Sequence, residues 1–562
     1  MNKNLELADY IVFVVYFIIV AGYGYSIYRK RKKNEHDAKA YFLAEGTLTW
    51  WAIGASLIAS NISAEQFIGM SGEGFFLGIA VAAYEWLAAI ALIVVAVWFI
   101  PVYLKNKIYT MPQFLKTRYN ETVALIMAVF WLFLYVFVNL TSILYLGAVA
   151  INGIAGGGYL HVIMVGLSIF ALLISLGGMK VVAYTDVIQV AVLIIGGLVT
   201  TYIALTTVGE YFGVGSNAIA GFKVLLREAP EHFKMIIPRP TATSSQNDIN
   251  NYLTFPGILS YAAGIWIINL NYWGCNQYIT QRALGADLQT ARTGILFAGI
   301  LKLFMPLIVM LPGIAAYVLY KSNHLPQLAG GTKDGAYSAI LTFLPTGLKG
   351  LSVAALTAAI VASLAGKVNS ISTIYTLDIH KRYIQQNADE KTQVYTGRIA
   401  VFAAMVLAVM FTWNDLLGIG GVGGFTYIQK YTGFISPGVF AMFFLGMFWK
   451  RTTGSAAIIG VLMGFLLSVL FNEFAPALFG NDTFFYTAYP NGKGGFEIPF
   501  HICMGLSFMF TMITMILVSF AGPKINPKAF ELDKDMFKLK PQTTVLIVII
   551  LLIITALYVK FW

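Results

Sequence analysis

Charge is scarce in this 562-residue chain: Asp, Glu, Lys and Arg make up 11% of it, against about 25% in soluble domains. There are only two cysteines, Cys275 and Cys503, both inside apolar runs, which excludes a disulfide framework and a cysteine metal site. No long basic face exists. The formal net charge of +11 is dispersed in short Lys/Arg clusters between apolar runs, a pattern that orients a membrane protein and argues against a nucleic-acid partner. The first apolar run, Tyr10 to Tyr28, lacks a small-residue cleavage site and leads directly into Arg29-Lys30-Arg31-Lys32-Lys33, so it reads as a span with a stop-transfer signal, not a cleaved leader. A P-loop is missing, and no cytoplasmic segment is long enough to build a nucleotide-sugar domain. The one glycosyltransferase-like DxD, Asp533-Lys534-Asp535, lies in a charged linker among Lys528, Glu531, Lys538 and Lys540.

What the chain has in abundance is apolar surface. Hydrophobic residues make up 58% of it, and its 53 glycines and 41 phenylalanines are spread along its whole length. This is the composition of an all-α polytopic membrane protein. A helical span needs about 20 mostly apolar residues, and by that measure about fourteen are expected. They lie near 8–28, 48–74, 78–104, 122–150, 159–178, 183–207, 252–279, 293–320, 346–380, 395–416, 421–447, 453–472, 498–521 and 543–561. Gly156-Gly157-Gly158 supplies the turn that divides the long uncharged stretch from Thr122 to Met179.

Loop charges set the orientation. Arg29 to Lys33, Lys105, Lys107, Lys116, Arg118, Lys180, Arg282, Arg292, His380-Lys381-Arg382, Lys450-Arg451 and the Lys524–Lys540 stretch fall on one side, which the positive-inside rule makes cytoplasmic. Both termini are then expected outside. In the longest outside loop, about 208–251, Ile219, Phe222, Leu226 and Phe233 approach helical spacing and predict an interfacial helix.

Charges deep in spans cost at least ~2.5 kcal/mol each by insertion scales, so they point to function or to pairing. Glu65, Glu85, Asp186, Lys302 and Lys367 qualify. Around Glu65, the run Ala59-Ser60-Asn61-Ile62-Ser63-Ala64-Glu65-Gln66 predicts a broken helix whose freed carbonyls could bind a cation. A second break is expected at Asn269-Leu270-Asn271-Tyr272-Trp273-Gly274. Two breaks five spans apart suggest inverted repeats, the second to sixth spans against the seventh to eleventh. Glu85, Lys302 and Gln429, each near mid-span, add the acid, amine and amide groups that a neutral polyol needs, while Glu85 and Lys302 could instead pair with each other.

Several contiguous stretches resemble the sodium:solute symporter family, and within it the bacterial sugar-carrying branch. They are Asn61 to Gly72, Ala83-Tyr84-Glu85-Trp86, Tyr184 to Gln189, Tyr272-Trp273-Gly274 with Asn276-Gln277-Tyr278, Tyr427-Ile428-Gln429, Tyr431-Thr432-Gly433 and Ser436-Pro437-Gly438. The resemblance implies a LeuT-like fold with a five-plus-five inverted repeat and sodium-driven uptake of a hexose across a bacterial inner membrane. It divides the chain into a leading helix and basic loop (8–47), a first repeat (48–207), an external loop (208–251), a second repeat (252–447) and three trailing helices (448–562).

Carried over by position, the resemblance implies a sugar site of Asn61, Gln66, Glu85, Asn269, Lys302 and Gln429. Met70, Tyr84 and Phe425 would close it from outside, and Tyr272 would stack beneath as the inner gate. A co-transported sodium ion would use the carbonyls of Ala59, Ile62 and Ala359 and the hydroxyl of Ser363, with Asp186 on its exit path. The chain departs from the family in three places. Ala88 replaces a serine of galactose-carrying members, Ala362-Ser363 replaces two adjacent serines, and Lys367 replaces an apolar residue. Lys367, one turn beyond Ser363, is expected to pair with Asp186 or to reach the ion site. The competing readings are a sodium-independent or proton-linked sugar carrier, a non-transporting sugar sensor and a membrane enzyme.

Overall fold

The computed structural model describes residues 5–31, 48–63, 65–155, 158–325, 335–416 and 424–562. Most of the Gly156–Gly158 turn, the basic run beyond Arg31, Ala64 and the Glu65 side chain lie outside the described residues. Those described are almost entirely helical, apart from a two-stranded hairpin pairing Tyr489–Pro490 with Phe496–Glu497. Eleven helices among them are long and apolar enough to cross a membrane. The expected spans outside those eleven are two shorter apolar helices, Leu160–Ser175 and Ser436–Phe448, and the interrupted segment Trp50–Asn61, Glu65–Met70, Ser71–Phe76.

The chain divides into two compact units, each drawn from three separate stretches. The first comprises Met1–Ile79, Ala128–Phe233 and Gln281–Tyr427. Its centre is the Leu348–Thr373 helix, buried along nearly its whole length, polar residues such as Ser363 and Lys367 included. The carboxylate of Asp9, on the leading Leu7–Arg31 helix, caps its start by accepting from the amides of Gly347 and Gly350, each at 2.7 Å, where the helix leaves amides unpaired and favours negative charge. The Trp50–Asn61 helix approaches Leu288–Val309 closely enough that a Cβ on Gly54 would come 2.7 Å from the Gly294 carbonyl.

The expected helix in the outer loop forms at Ala218–Glu228, capped by Asn217, whose side chain accepts from the amides of Ile219 and Ala220. Gly221, Val224 and Leu225 are buried while Ile219 is 71% exposed. Gly221 decides this rotation, because any side chain there would collide with the Leu205 carbonyl.

The second unit comprises Ala80–Met127, Lys234–Thr280 and Ile428–Trp562. Here Phe471, Tyr486, Ile498 and Cys503 anchor the hairpin segment against the Gly454–Val469 and Phe500–Phe520 helices. The DxD is a capping feature: Asp533 accepts from the Asp535 amide at 3.0 Å, and Asp535 pairs with exposed Lys538. Arg118, Arg282 and Arg292, counted above as loop charges, are buried, the first two completely. Hydropathy places an arginine at the end of a span but cannot tell whether a neighbouring helix covers it.

Candidate functional site

The first expected break is present. The Trp50–Asn61 helix stops at Ile62, whose backbone is extended (φ −80°, ψ 112°), and a wide-turn segment resumes at Glu65–Met70. The Ser63 amide, which a continuous helix would direct to the Ala59 carbonyl, donates instead to Gln66 Oε1 at 3.0 Å. Ser63 Oγ donates to the same oxygen at 3.1 Å. The Gln66 amide donates to the Ser63 carbonyl and not to that of Ile62. Both Ala59 and Ile62 therefore lose their helical donors, leaving carbonyls of the kind that bind cations.

The Leu348–Thr373 helix meets this break. Ser363 Oγ donates to the Ser60 carbonyl at 2.8 Å, and Ala359 stands one turn earlier on the same helix. Ala59, Ile62, Ala359, Ala362 and Ser363 are all buried. The four expected sodium ligands thus belong to one unit, on two helices joined at the break.

Beside the break lies a cluster that the sequence reading missed. Ser56, one turn before Ser60, donates to Asp186 Oδ2 and accepts from Arg282 Nε at 2.6 Å. Arg282 Nη2 is 3.6 Å from the same carboxylate oxygen. All three side chains are fully buried. A Cβ on Gly366 would lie 2.6 Å from Arg282 Nη2 and 2.9 Å from Ser60 Oγ, so the guanidinium and the Ser60 hydroxyl both pack over a glycine.

The expected pairing of Lys367 with Asp186 is not formed. Arg282 holds that carboxylate, and Lys367, also buried, is engaged elsewhere. The reason is the position of the second break. The Ile265–Cys275 helix runs straight through Asn269–Gly274 and ends at Asn276 (φ −93°, ψ 129°), after which Gln277–Leu284 carries Arg282 inward. The helix stops there because Tyr103 Oη donates to the Gly274 carbonyl at 2.7 Å and Gln277 Oε1 accepts from the Met111 amide.

The expected sugar-binding side chains are divided between the units. Asn61, Gln66 and Lys302, with gates Met70 and Phe425, belong to the first; Glu85, Asn269 and Gln429, with gates Tyr84 and Tyr272, belong to the second. In the first unit Phe425 packs on the wide turn, since a Cβ on Gly69 would come 2.5 Å from its own Cβ. In the second, Asn269 Nδ2 donates to the Ile265 carbonyl, and Asn271 Nδ2 donates to Ser436 Oγ. Tyr272 is edge-packed on Trp273 and Tyr278, with ring centroids 5.2 and 5.7 Å away. Glu85 and Lys302 are buried, at 3% and 1% exposure.

The sequence model of the sodium:solute symporter family matches residues 41–464. The chain belongs to the sodium:solute symporter family. It is 41% identical over 580 residues to the sodium/glucose cotransporter of Vibrio parahaemolyticus, an alignment covering all of this chain and 99% of that one. It is 34% identical over 485 residues to the sodium/myo-inositol cotransporter 2 of Mus musculus, across 84% of this chain and 70% of the relative. The solved structure of a Na+-coupled sialic acid symporter, substrate-bound and outward-open, superposes with a TM-score of 0.76 at 20% identity, over 92% of this chain and 100% of that one. The fold is LeuT-like with five-plus-five inverted repeats. The symporter is a multi-pass membrane transporter that couples a solute to sodium, and it is not an enzyme.

Proposed function

We propose that the symporter carries a neutral hexose of the galactose or glucose type inward with sodium, by alternating access, in a bacterial inner membrane with both termini outside. Asn61, Gln66, Glu85, Asn269, Lys302 and Gln429 bind the sugar, Met70, Tyr84 and Phe425 close over it, and Tyr272 gates the inner side. Sodium sits on the carbonyls of Ala59, Ile62 and Ala359 and the hydroxyl of Ser363, leaving past Asp186 and Lys367. One observation carries the ion half of this reading: the bonds made by Ser63 and Gln66 strip Ala59 and Ile62 of their helical donors directly beside Ser363. The sugar half is supported by the named substrate of the Vibrio relative, aligned over the full chain. Ala88, which leaves out one family hydroxyl, bears on which epimer is preferred.

One sodium moving through 100 mV releases about 2.3 kcal/mol, and a tenfold gradient adds about 1.4 kcal/mol, enough for roughly 500-fold sugar accumulation. The test is labelled galactose and glucose uptake into proteoliposomes, with and without an inward sodium gradient. Accumulation that collapses without the gradient is the expected result, and Ser363→Ala should lose the sodium stimulation. Glu85→Ala and Gln429→Ala should each raise the sugar half-saturation about tenfold or more, because the remaining polar groups of a buried site lose a partner. Uptake indifferent to sodium would overturn the ion reading. Uptake of myo-inositol in preference to either hexose would overturn the substrate reading.

A further inference from the structure

The second unit contains a buried histidine that neither the ion site nor the sugar site uses. His501, second residue of the Phe500–Phe520 helix, is 0% exposed, and its Nε2 lies 2.8 Å from the Tyr84 hydroxyl. The two rings are 5.6 Å apart, and Phe255 completes the cluster, 6.1 Å from Tyr84 and edge-on to His501 at 5.6 Å. His501 is itself pinned: a Cβ on Gly264, at the end of the wide turn Ser260–Gly264, would come 2.7 Å from the His501 carbonyl and 2.9 Å from its Cβ.

This is an expensive way to pack three rings. Nδ1 of His501 has no hydrogen-bond partner among the described residues, so one ring nitrogen is left unsatisfied whichever tautomer is present. Phenylalanine at both positions would fill nearly the same volume and bury no polar atom, and apolar replacement of such a pair is often neutral or stabilising. Packing does not account for the choice. What the bond does supply is direction. Tyr84 is the residue before Glu85 in the first turn of the Ala83–Val94 helix, and consecutive helical residues project about 100° apart. Fixing the phenol on His501 therefore fixes the rotational setting of the turn that presents Glu85.

We propose that His501 is a positioning residue of the outer gate: its imidazole holds the Tyr84 phenol, and through it the turn that carries Glu85, in the orientation that binds the sugar. This rests on the reading of Tyr84 and Glu85 given under the proposed function. The sequence offered no pointer to it, because His501 stands alone near the start of a span, 417 residues from Tyr84 in the chain.

The test is hexose uptake into proteoliposomes by four variants with the wild type as reference. His501→Phe keeps the ring and removes the bond, Tyr84→Phe removes it from the other side, and His501→Gln retains a hydrogen-bonding group. His501→Phe and Tyr84→Phe should each raise the sugar half-saturation about fivefold or more, and in His501→Phe the maximal rate and sodium half-saturation should change by less than about twofold. The double variant should be no worse than either single one, as two ends of one interaction require, and His501→Gln should recover most of the affinity. A sugar half-saturation unchanged in His501→Phe, or losses that multiply in the double variant, would overturn the proposal while leaving the sugar reading intact. Should His501→Phe misfold on gel filtration, an unchanged half-saturation in Tyr84→Phe overturns it equally. A wild type that takes up no hexose would overturn the sugar reading first, and the proposal with it.

Discussion

Among the described residues each compact unit buries one arginine completely, Arg282 in the first and Arg118 in the second, and the two are neutralised in different ways. In the second unit, Arg118 donates through Nε to the Gly446 carbonyl at 2.6 Å, through Nη2 to Trp449 at 3.0 Å and through Nη1 to Thr452 at 3.1 Å. These carbonyls lie at and just beyond the C-terminal end of the Ser436–Phe448 helix, where unpaired carbonyls and the helix dipole both favour a cation. Arg282 of the first unit is held by a carboxylate and a hydroxyl, Asp186 and Ser56, beside the broken helix. Carbonyls at a helix end are fixed dipoles that cannot change charge, so the Arg118 contact is a static clasp. The Asp186–Arg282 contact sets an ionisable carboxyl against a guanidinium, and Asp186 Oδ1 accepts no hydrogen bond among the described residues. A buried arginine is therefore evidence of function only once its partners are known.

The comparison can be broken in graded steps. The largest effect is expected from Arg282→Met, which leaves the buried Asp186 without its ionic partner, at a cost of about 3–5 kcal/mol. Thermal unfolding of the purified protein would register it as a marked loss of stability. Adding Asp186→Leu should restore most of the lost stability, since an apolar pair replaces an ionic one at little cost, while sodium-stimulated uptake stays impaired. Recovery of both together would mean that the pair is only structural.

A smaller effect is expected from Arg118→Lys. An ammonium cannot reproduce the planar three-way fork, so stranded carbonyls should lower stability by about 1–3 kcal/mol, again read by thermal unfolding. Sodium half-saturation should be unchanged, and a shift in it would show that the clasp is coupled to the ion site. The smallest effect is expected from Ala362→Ser, which returns the hydroxyl that the family carries next to Ser363. One more oxygen ligand should lower the sodium half-saturation by about two- to tenfold, measured from the sodium dependence of sugar uptake, with stability nearly unchanged.

The two breaks mark how far the sequence could be read. The first was legible because Ala59 to Gln66 combines small residues with polar ones whose side chains compete for backbone amides, and Gln66 turning onto Ser63 is such a competition. The second was misplaced by several residues. Asn269 satisfies its amide locally on Ile265, so the polar run stays helical, and the helix stops only where Tyr103 takes the Gly274 carbonyl. A tyrosine 171 residues away in the chain leaves no trace in local composition.

Hydropathy and loop charge by themselves determined that the chain is a polytopic membrane protein and where its first helix break lies, because these follow from local periodicity and from the cost of burying polar groups in lipid. The transporter reading and the expected sodium oxygens came from the resemblance of its contiguous motifs to the symporter family. Tertiary structure alone decided the partners: Asp186 with Arg282 and not Lys367, Tyr84 with His501, Arg118 with the end of a distant helix. A buried polar group must find a complement, but several candidates satisfy its chemistry equally well, and only the packing of helices far apart in the chain brings one of them within hydrogen-bonding distance.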